Sequence, residues 1–531
     1  MQRRLNRKLI HVFILSLFGL PLIFLPSAFA APKASLASQA NSCGWDTSPG
    51  WVARENAKVG NSNWANGIPP EYSGDYMAKE TGVTPAWGTG PNKAVAGWFD
   101  APSGTCGDQI GLHISGNGRP VRIKVYRLGY YGGAGARLIT STNIAAVKTG
   151  SRAIVTKAPT STVSTNWPVA WILQINKATI PGEYLLRLDD GGPDSSLVPL
   201  TVVDPHIKSA ITFVSSVLTW QGYNQWGGYS LYKGPNMQRG TRATIVSFNR
   251  PYDGDGSGQF RYMEYPILKI AERLGLDMNY ITDLELDQNI ASLQYTNSLL
   301  FGGHSEYWTA NMRGAVQSAI DRGVNLASLG GNSAYAHPTL QANNRQLVMW
   351  RASLADPNRK DPLLATTSWR AAPISQPESM ILGSQYVGLG VSADYKIPHP
   401  NRWPFTTMTH PAVLQSIVGR EVDSPLYSIG PAVEVLASSA ITFNGKAVTI
   451  MATYYTNSKN AGVIDISTNG WSCAIDDICP WHPQISKDTK NDARLITEQI
   501  LKGIAKGPLG TWRPAIIDVQ ARTKTSVLQK I

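Results

Sequence analysis

Residues 297–337 read NSLLFGGHSEYWTANMRGAVQSAIDRGVNLASLGGNSAYAH. Two apolar runs, 299–301 and 324–329, have the composition of buried strands. Between them Thr309 is placed to cap a helix on which Met312, Ala315, Val316, Ala319 and Ile320 share one face, and Gly323 is placed to end it. Such a strand–helix–strand unit predicts parallel strands. Each strand is followed by the same pattern, Gly-Gly-x-Ser-x-Tyr. It reads Gly302-Gly303-His304-Ser305-Glu306-Tyr307 the first time and Gly330-Gly331-Asn332-Ser333-Ala334-Tyr335 the second. Open parallel sheets bind ligands beyond the carboxyl ends of their strands, and parallel neighbours lie about 4.8 Å apart. Two phenols at one offset are therefore candidates for one site, with aromatic packing over the strand ends as the alternative.

The rest of the α/β pattern spreads from this unit. Strands are expected at 210–215, 243–248, 276–281, 433–437, 447–454 and 462–467, with amphipathic helices at 262–274 and 492–504. Upstream, short apolar or alternating runs recur between turn signals at 95–99, 110–114, 121–126, 153–157, 170–175, 184–188 and 198–203, the signature of a β-sandwich. The glycine-rich run 129–137 is a turn between strands and not a phosphate loop, because no helix follows it. Asp253 and Asp255 sit in a polar loop that resembles part of a calcium loop but lacks the downstream glutamate. The expected organisation is residues 1–30 as signal peptide, 31–85 as an irregular extension, 86–204 as β-sandwich, 205–510 as a three-layer α/β domain, and 511–531 as a loose tail.

Composition narrows the function. Arg3, Arg4, Arg7 and Lys8 precede an apolar run over 9–25, and Ala28-Phe29-Ala30 is a cleavage site of the secretory type. An uncleaved anchor is the alternative, against which Pro21, Pro26 and the small residues weigh. Removal of residues 1–30 would leave 44 basic against 36 acidic residues, a net charge of +8. That mild excess has no Lys/Arg runs and no nucleic-acid motif, and it suits a secreted, periplasmic or cell-surface protein near an anionic surface. No later stretch is long and apolar enough to span a bilayer. Four cysteines allow three pairings. Proximity favours Cys43–Cys106 and Cys473–Cys479, and the spacings do not match common zinc sites.

Several segments together resemble the large (beta) subunit of N,N-dimethylformamidase. They are Tyr126-Arg127-Leu128-Gly129-Tyr130-Tyr131-Gly132-Gly133, Thr219-Trp220-Gln221-Gly222-Tyr223-Asn224, Gly227-Gly228-Tyr229-Ser230-Leu231-Tyr232, Ser247-Phe248-Asn249-Arg250-Pro251-Tyr252, the two loops above, and Gly419-Arg420-Glu421-Val422-Asp423. They fall in order between about residues 120 and 505. The resemblance implies a β-sandwich followed by an α/β domain similar to class I glutamine amidotransferases. It also implies a mononuclear Fe(III) held by Tyr307, Tyr335 and Glu421. Phenolate and carboxylate are hard donors suited to such an ion. A free phenol ionises near pH ~10, so only a strong local positive charge makes phenolate stable at neutrality.

His304, Asn332 and Glu306 are the candidate catalytic residues, with second-shell or surface roles as the alternative. Trp220, Tyr223 and Asn224 either line the mouth of the site or cap the first strand. The second tyrosine is followed by Ala336-His337 where relatives carry Trp, so the pocket there would differ in shape. Asn332, not cysteine, occupies the strand-end turn, which excludes glutamine-amidotransferase chemistry. The expectation is a metal-dependent hydrolase of a C–N amide-type bond acting on a small-molecule amide or glycan. An oligomer or a small partner subunit is compatible with it, and nucleic acid is not an expected partner. The alternative is a non-catalytic cell-surface or carbohydrate-binding protein on the same fold.

Overall fold

The computed structural model describes residues 43–68 and 95–520, apart from 149, 151–152, 193–194, 236–237, 289–290, 352, 411, 426–428 and 477–484. The expected signal peptide, residues 31–42 and 69–85 of the extension, 86–94 of the expected sandwich, the end of the tail and Cys479 lie outside the described residues.

Alternation builds the N-terminal unit. Along Pro120–Leu128, Val121, Ile123 and Val125 are buried while Arg122 and Lys124 face outward. This strand joins a five-stranded sheet with Ser103–Gly104, Ser195–Val202, Gly182–Asp189 and Ala136–Ala146, and a three-stranded sheet is formed by Ala96–Phe99, Gln109–Ser115 and Val169–Gln174. Leu112 and Leu173 of the smaller sheet share one buried cluster with Ile123, Leu186 and Val198 of the larger. Of the strand expected at 153–157, only Ile154–Val155 pairs, in a separate short hairpin with Val163–Ser164. The Cys43–Cys106 disulfide ties the N-terminal segment to this unit with a Cα–Cα distance of 5.7 Å. The segment is less irregular than expected: Trp51–Asn56 is helical and buries Trp51 and Val52.

The second unit is a mixed sheet of nine strands among the described residues. Five are parallel, in the spatial order Met278–Thr282, Ile211–Ser215, Ser298–Phe301, Asn325–Ser328 and Gly462–Asp465. Four antiparallel strands continue it: Lys446–Thr456, Glu434–Phe443, Gln385–Lys396 and Val413–Ser424. The expected strand–helix–strand unit is present. Ser298 pairs with Asn325 and Phe301 with Ser328, and Thr309 Oγ1 accepts the Met312 N–H at 3.2 Å to cap the helix Ala310–Asp321. Met312, Val316 and Ile320 are its buried face. Gly323 has a φ of +100° just past its end, a conformation that favours glycine.

The structure differs from expectation in four places. Gln385–Lys396 and Val413–Ser424 are twelve residues each and gave no clear sequence signal. The helix expected at 262–274 opens with a π-helical turn over Phe260–Glu264 before the α-helix Tyr265–Arg273. Asp255 is committed to Ser257 and, at 2.8 Å, to Arg261, so its loop is built on internal bonds. The segment after Pro508 is pinned as far as Val519, which pairs with Val433, while Ile516 N–H donates to Glu434 at 2.9 Å.

A candidate metal and proton-handling centre

The two Gly-Gly loops lie side by side at the carboxyl ends of the parallel strands. Ala334 N–H donates to Ser305 O at 2.8 Å, Ala336 N–H to Glu306 O at 2.9 Å and Trp308 N–H to Ala336 O at 3.0 Å. Glycine is required by this approach: a Cβ on Gly330 would lie 1.9 Å from Gly303 O, and one on Gly331 would lie 2.5 Å from Glu421 O. Glu421 sits inside the long strand Val413–Ser424. Three register shifts along its pairing with Gln385–Lys396 bend this edge of the sheet. Val422 then bridges to Thr468, beyond the parallel strand Gly462–Asp465.

The result is a buried cluster. His304 Nε2 lies 2.7 Å from Glu421 Oε2 and 3.7 Å from Glu306 Oε2. His304, Glu306 and Glu421 each present a ligand atom within 4.8 Å of the others, a group that could hold a metal ion. Tyr223 donates to Glu306 at 2.7 Å and reaches Glu421 at 3.4 Å. Tyr232 donates to Glu306 at 2.5 Å, Tyr307 bonds to Tyr232 at 2.9 Å, and Arg351 donates to the Tyr307 oxygen at 2.8 Å. Asn469 links the loops to the carboxylate. Its Oδ1 accepts Gly331 N–H at 2.7 Å, and its Nδ2 donates to Glu421 at 3.1 Å.

Electrostatics divides the two carboxylates. Burial works to raise Glu421, but His304 and the Asn332 side chain outweigh it and hold its carboxyl below the usual range. Burial and then the charge of Glu421 raise Glu306. Burial disfavours the charged form of His304, yet the facing Glu421 lifts its pKa above the ordinary value. Burial raises the Tyr223 and Tyr232 phenols, and Glu306 adds to it. Tyr307 is raised by burial against the opposing pull of Arg351.

Of the residues expected from sequence, Glu421, His304 and Glu306 meet directly, and Tyr307 joins them through Tyr232. Asn332 occupies the strand-end turn with a φ of +57°, its N–H held by Asp423 at 2.9 Å. Its Oδ1 is buried without a hydrogen-bond partner. Tyr335 stands at the edge. Its ring meets Tyr386 at 5.4 Å with Arg370 over it at 5.2 Å, and its phenol makes no hydrogen bond to the cluster among the described residues. The loops pair Tyr307 with Ala336, one residue out of the motif register, and Tyr335 adds to the rise of the Tyr307 phenol. Of the three residues left open, Tyr223 faces the site, Trp220 donates to Glu264 at 2.7 Å, and Asn224 bonds Pro251 O at 2.9 Å.

Sequence reasoning gave no role to Tyr232, Arg351 or Asn469. Tyr232 stood in a quoted motif, but Arg351 and Asn469 carry no local signal. Residues 122–487 match the sequence profile of a family described as N,N-dimethylformamidase beta subunit-like, C-terminal. No curated protein matches the chain.

Proposed function

The chain belongs to the N,N-dimethylformamidase beta subunit-like family, and on that premise we propose that it is an exported, metal-dependent hydrolase of a C–N amide-type bond. The observation that supports this most is the convergence of Glu421, Glu306, His304 and a chain of phenols in one buried pocket. The donor set fits a hard cation. One buried polar atom there, Asn332 Oδ1, lacks a hydrogen bond, and such an atom marks a place where an ion or water belongs. Tyr307, Tyr335 and Glu421 are the proposed ligands of a mononuclear ferric ion, with Glu306 and His304 beside them. Bound there, the ion would supply Lewis acidity to polarise an amide carbonyl and acidify a water.

The protein groups do the rest. Arg351, Tyr307, Tyr232 and Glu306 form one hydrogen-bonded chain, so a proton leaving Tyr307 has a path to Glu306. Glu306, raised by burial and by Glu421, is suited to accept and hold it. His304 Nδ1–H donates to Gln259 Oε1 at 3.2 Å, which orients the ring so that Nε2 can deliver a proton to a departing amine nitrogen. Asn332 presents a free amide oxygen to the substrate. The parallel sheet and the strand-end turn resemble an amidotransferase scaffold in which asparagine replaces the nucleophile.

Protein purified without chelators should carry about one iron per chain and absorb visible light through phenolate-to-iron charge transfer. Tyr307→Phe should remove colour and metal together. Glu306→Gln should keep the metal and lower amide hydrolysis by about 100-fold or more, the usual scale for a proton-transfer group. A folded, metal-free, colourless protein without amidase activity would overturn the reading and favour a cell-surface binding role.

A further inference from the structure

Beside the cluster the sheet opens into a cleft of about 450 Å³ for which the chemistry above has no use. Tyr335 lines it and joins it to the proposed metal site. The rings of Tyr335 and Tyr386 meet edge to face at 5.4 Å. Phe443 closes the far side, its ring so near Gly388 that a Cβ there would come within 3.0 Å. Gln385 and Tyr386 stand opposite Ser424 and Asp423, on the same strand pair that carries Glu421.

One polar atom in the lining lacks a partner. Gln385 is only 8% exposed, and its Oε1 has no hydrogen bond. A buried acceptor left unmade is destabilising, and a ligand N–H would relieve it. The charges in the lining are all positive. Arg370 is engaged by Glu378 at 3.1 Å, Lys446 is exposed at the rim, and no carboxylate lines the cleft among the described residues.

We infer that this cleft is a subsite for the part of an amide substrate beyond the scissile bond, and that it takes a planar aromatic group bearing an N–H donor, neutral or anionic. The substrate class is then an aryl amide rather than a small dialkyl amide. The inference rests on the hydrolase reading for the meaning of "substrate", but the binding itself does not. Tyr335, Tyr386 and Phe443 supply ring faces and edges for stacking, Gln385 accepts the N–H, and Lys446 meets an anionic substituent.

The test is calorimetric titration of the mature protein with 4-acetamidobenzoate. Gln385→Leu and Phe443→Ala should each weaken binding about tenfold. The cationic analogue with an aminomethyl group in place of the carboxylate should bind more weakly than the benzoate, and Lys446→Glu should reverse that order. Phe443 lies near a hairpin tip, so its variant keeps the test open if Gln385→Leu fails to fold. Glu421→Gln separates the two proposals: the probe should still bind when the metal site is lost. No binding at millimolar probe, or affinity unchanged in both Gln385→Leu and Phe443→Ala, overturns the subsite. Hydrolysis of simple amides alongside either result would leave the enzymatic reading standing.

Discussion

At the residue scale the proposed site would depend on side chains that hold the candidate ligands rather than act as ligands. Asn469 bonds the Gly331 N–H with one end of its amide and the Glu421 carboxylate with the other. Groups in this position typically change metal affinity by about 10–100-fold. Asn469→Ala should therefore raise the dissociation constant for iron within that range, read by chelator competition, with the circular dichroism spectrum retained. An unchanged constant would remove Asn469 from the site. Sequence reading reached Tyr307, Glu306 and His304 because they stand in the repeated Gly-Gly-x-Ser-x-Tyr pattern at a strand end, and it reached Glu421 through the family resemblance alone. It missed Arg351 because nothing about a lone arginine tells that its guanidinium will lie over the Tyr232 ring at 4.4 Å. It also treated Tyr307 and Tyr335 as equivalent. The one-residue offset between the loops is a property of their pairing, and no residue in either loop encodes it alone.

At the element scale the parallel strands were legible and the antiparallel edge was not. The strand–helix–strand unit has a uniform apolar period and a cap, and both survive in a single sequence. Gln385–Lys396 and Val413–Ser424 are interrupted by register shifts, which break the period-2 pattern that marks a strand. One local signal was available and unused. Asn444-Gly445, with φ of +50° and +74°, makes the tight turn between Glu434–Phe443 and Lys446–Thr456. The doubled glycines of the loops, by contrast, carried structural information that became readable only in three dimensions. Gly331→Ala should push Glu421 away from the loop and destabilise the protein by about 1–3 kcal/mol, as overpacking of a tight contact does. Denaturant melts measure this, and the metal-free protein should show the full effect. A neutral result would mean that the edge strand yields without cost.

At the scale of the whole molecule, buried polar residues join the sandwich to the α/β unit. Arg127, in a segment that carries the family resemblance but was given no role from sequence, donates to Glu272 at 2.9 and 3.0 Å, and Tyr280 bonds the same carboxylate at 2.5 Å. Trp51 of the N-terminal helix packs on Tyr280 at 6.1 Å, so three parts of the chain meet at one buried ion pair. Glu183 of the sandwich accepts Thr201 at 2.8 Å and Ser215, from the first parallel strand, at 2.9 Å. Burial pushes its carboxyl up to about 8. The native state thus keeps a proton that the unfolded chain releases near its ordinary value. The associated stability is complete below the unfolded pKa and is lost as pH rises to about 8. Glu183→Gln should flatten this part of the stability–pH curve and make the protein more stable than wild type above pH 8, as measured by urea denaturation across pH. An identical slope in the variant would refute the assignment.

The spatial order of the large sheet has one more consequence. Gly462–Asp465, the last of the sheet's strands in chain order among the described residues, lies between Asn325–Ser328 and Lys446–Thr456. A ribosome product that stops short of it would expose two raw backbone margins where the longer chain has none, and each is a template for foreign strands. This late strand is thus the keystone of an arch. Fragments ending before Gly462 should form aggregates rather than a smaller working protein, and sedimentation of such a fragment would reveal it.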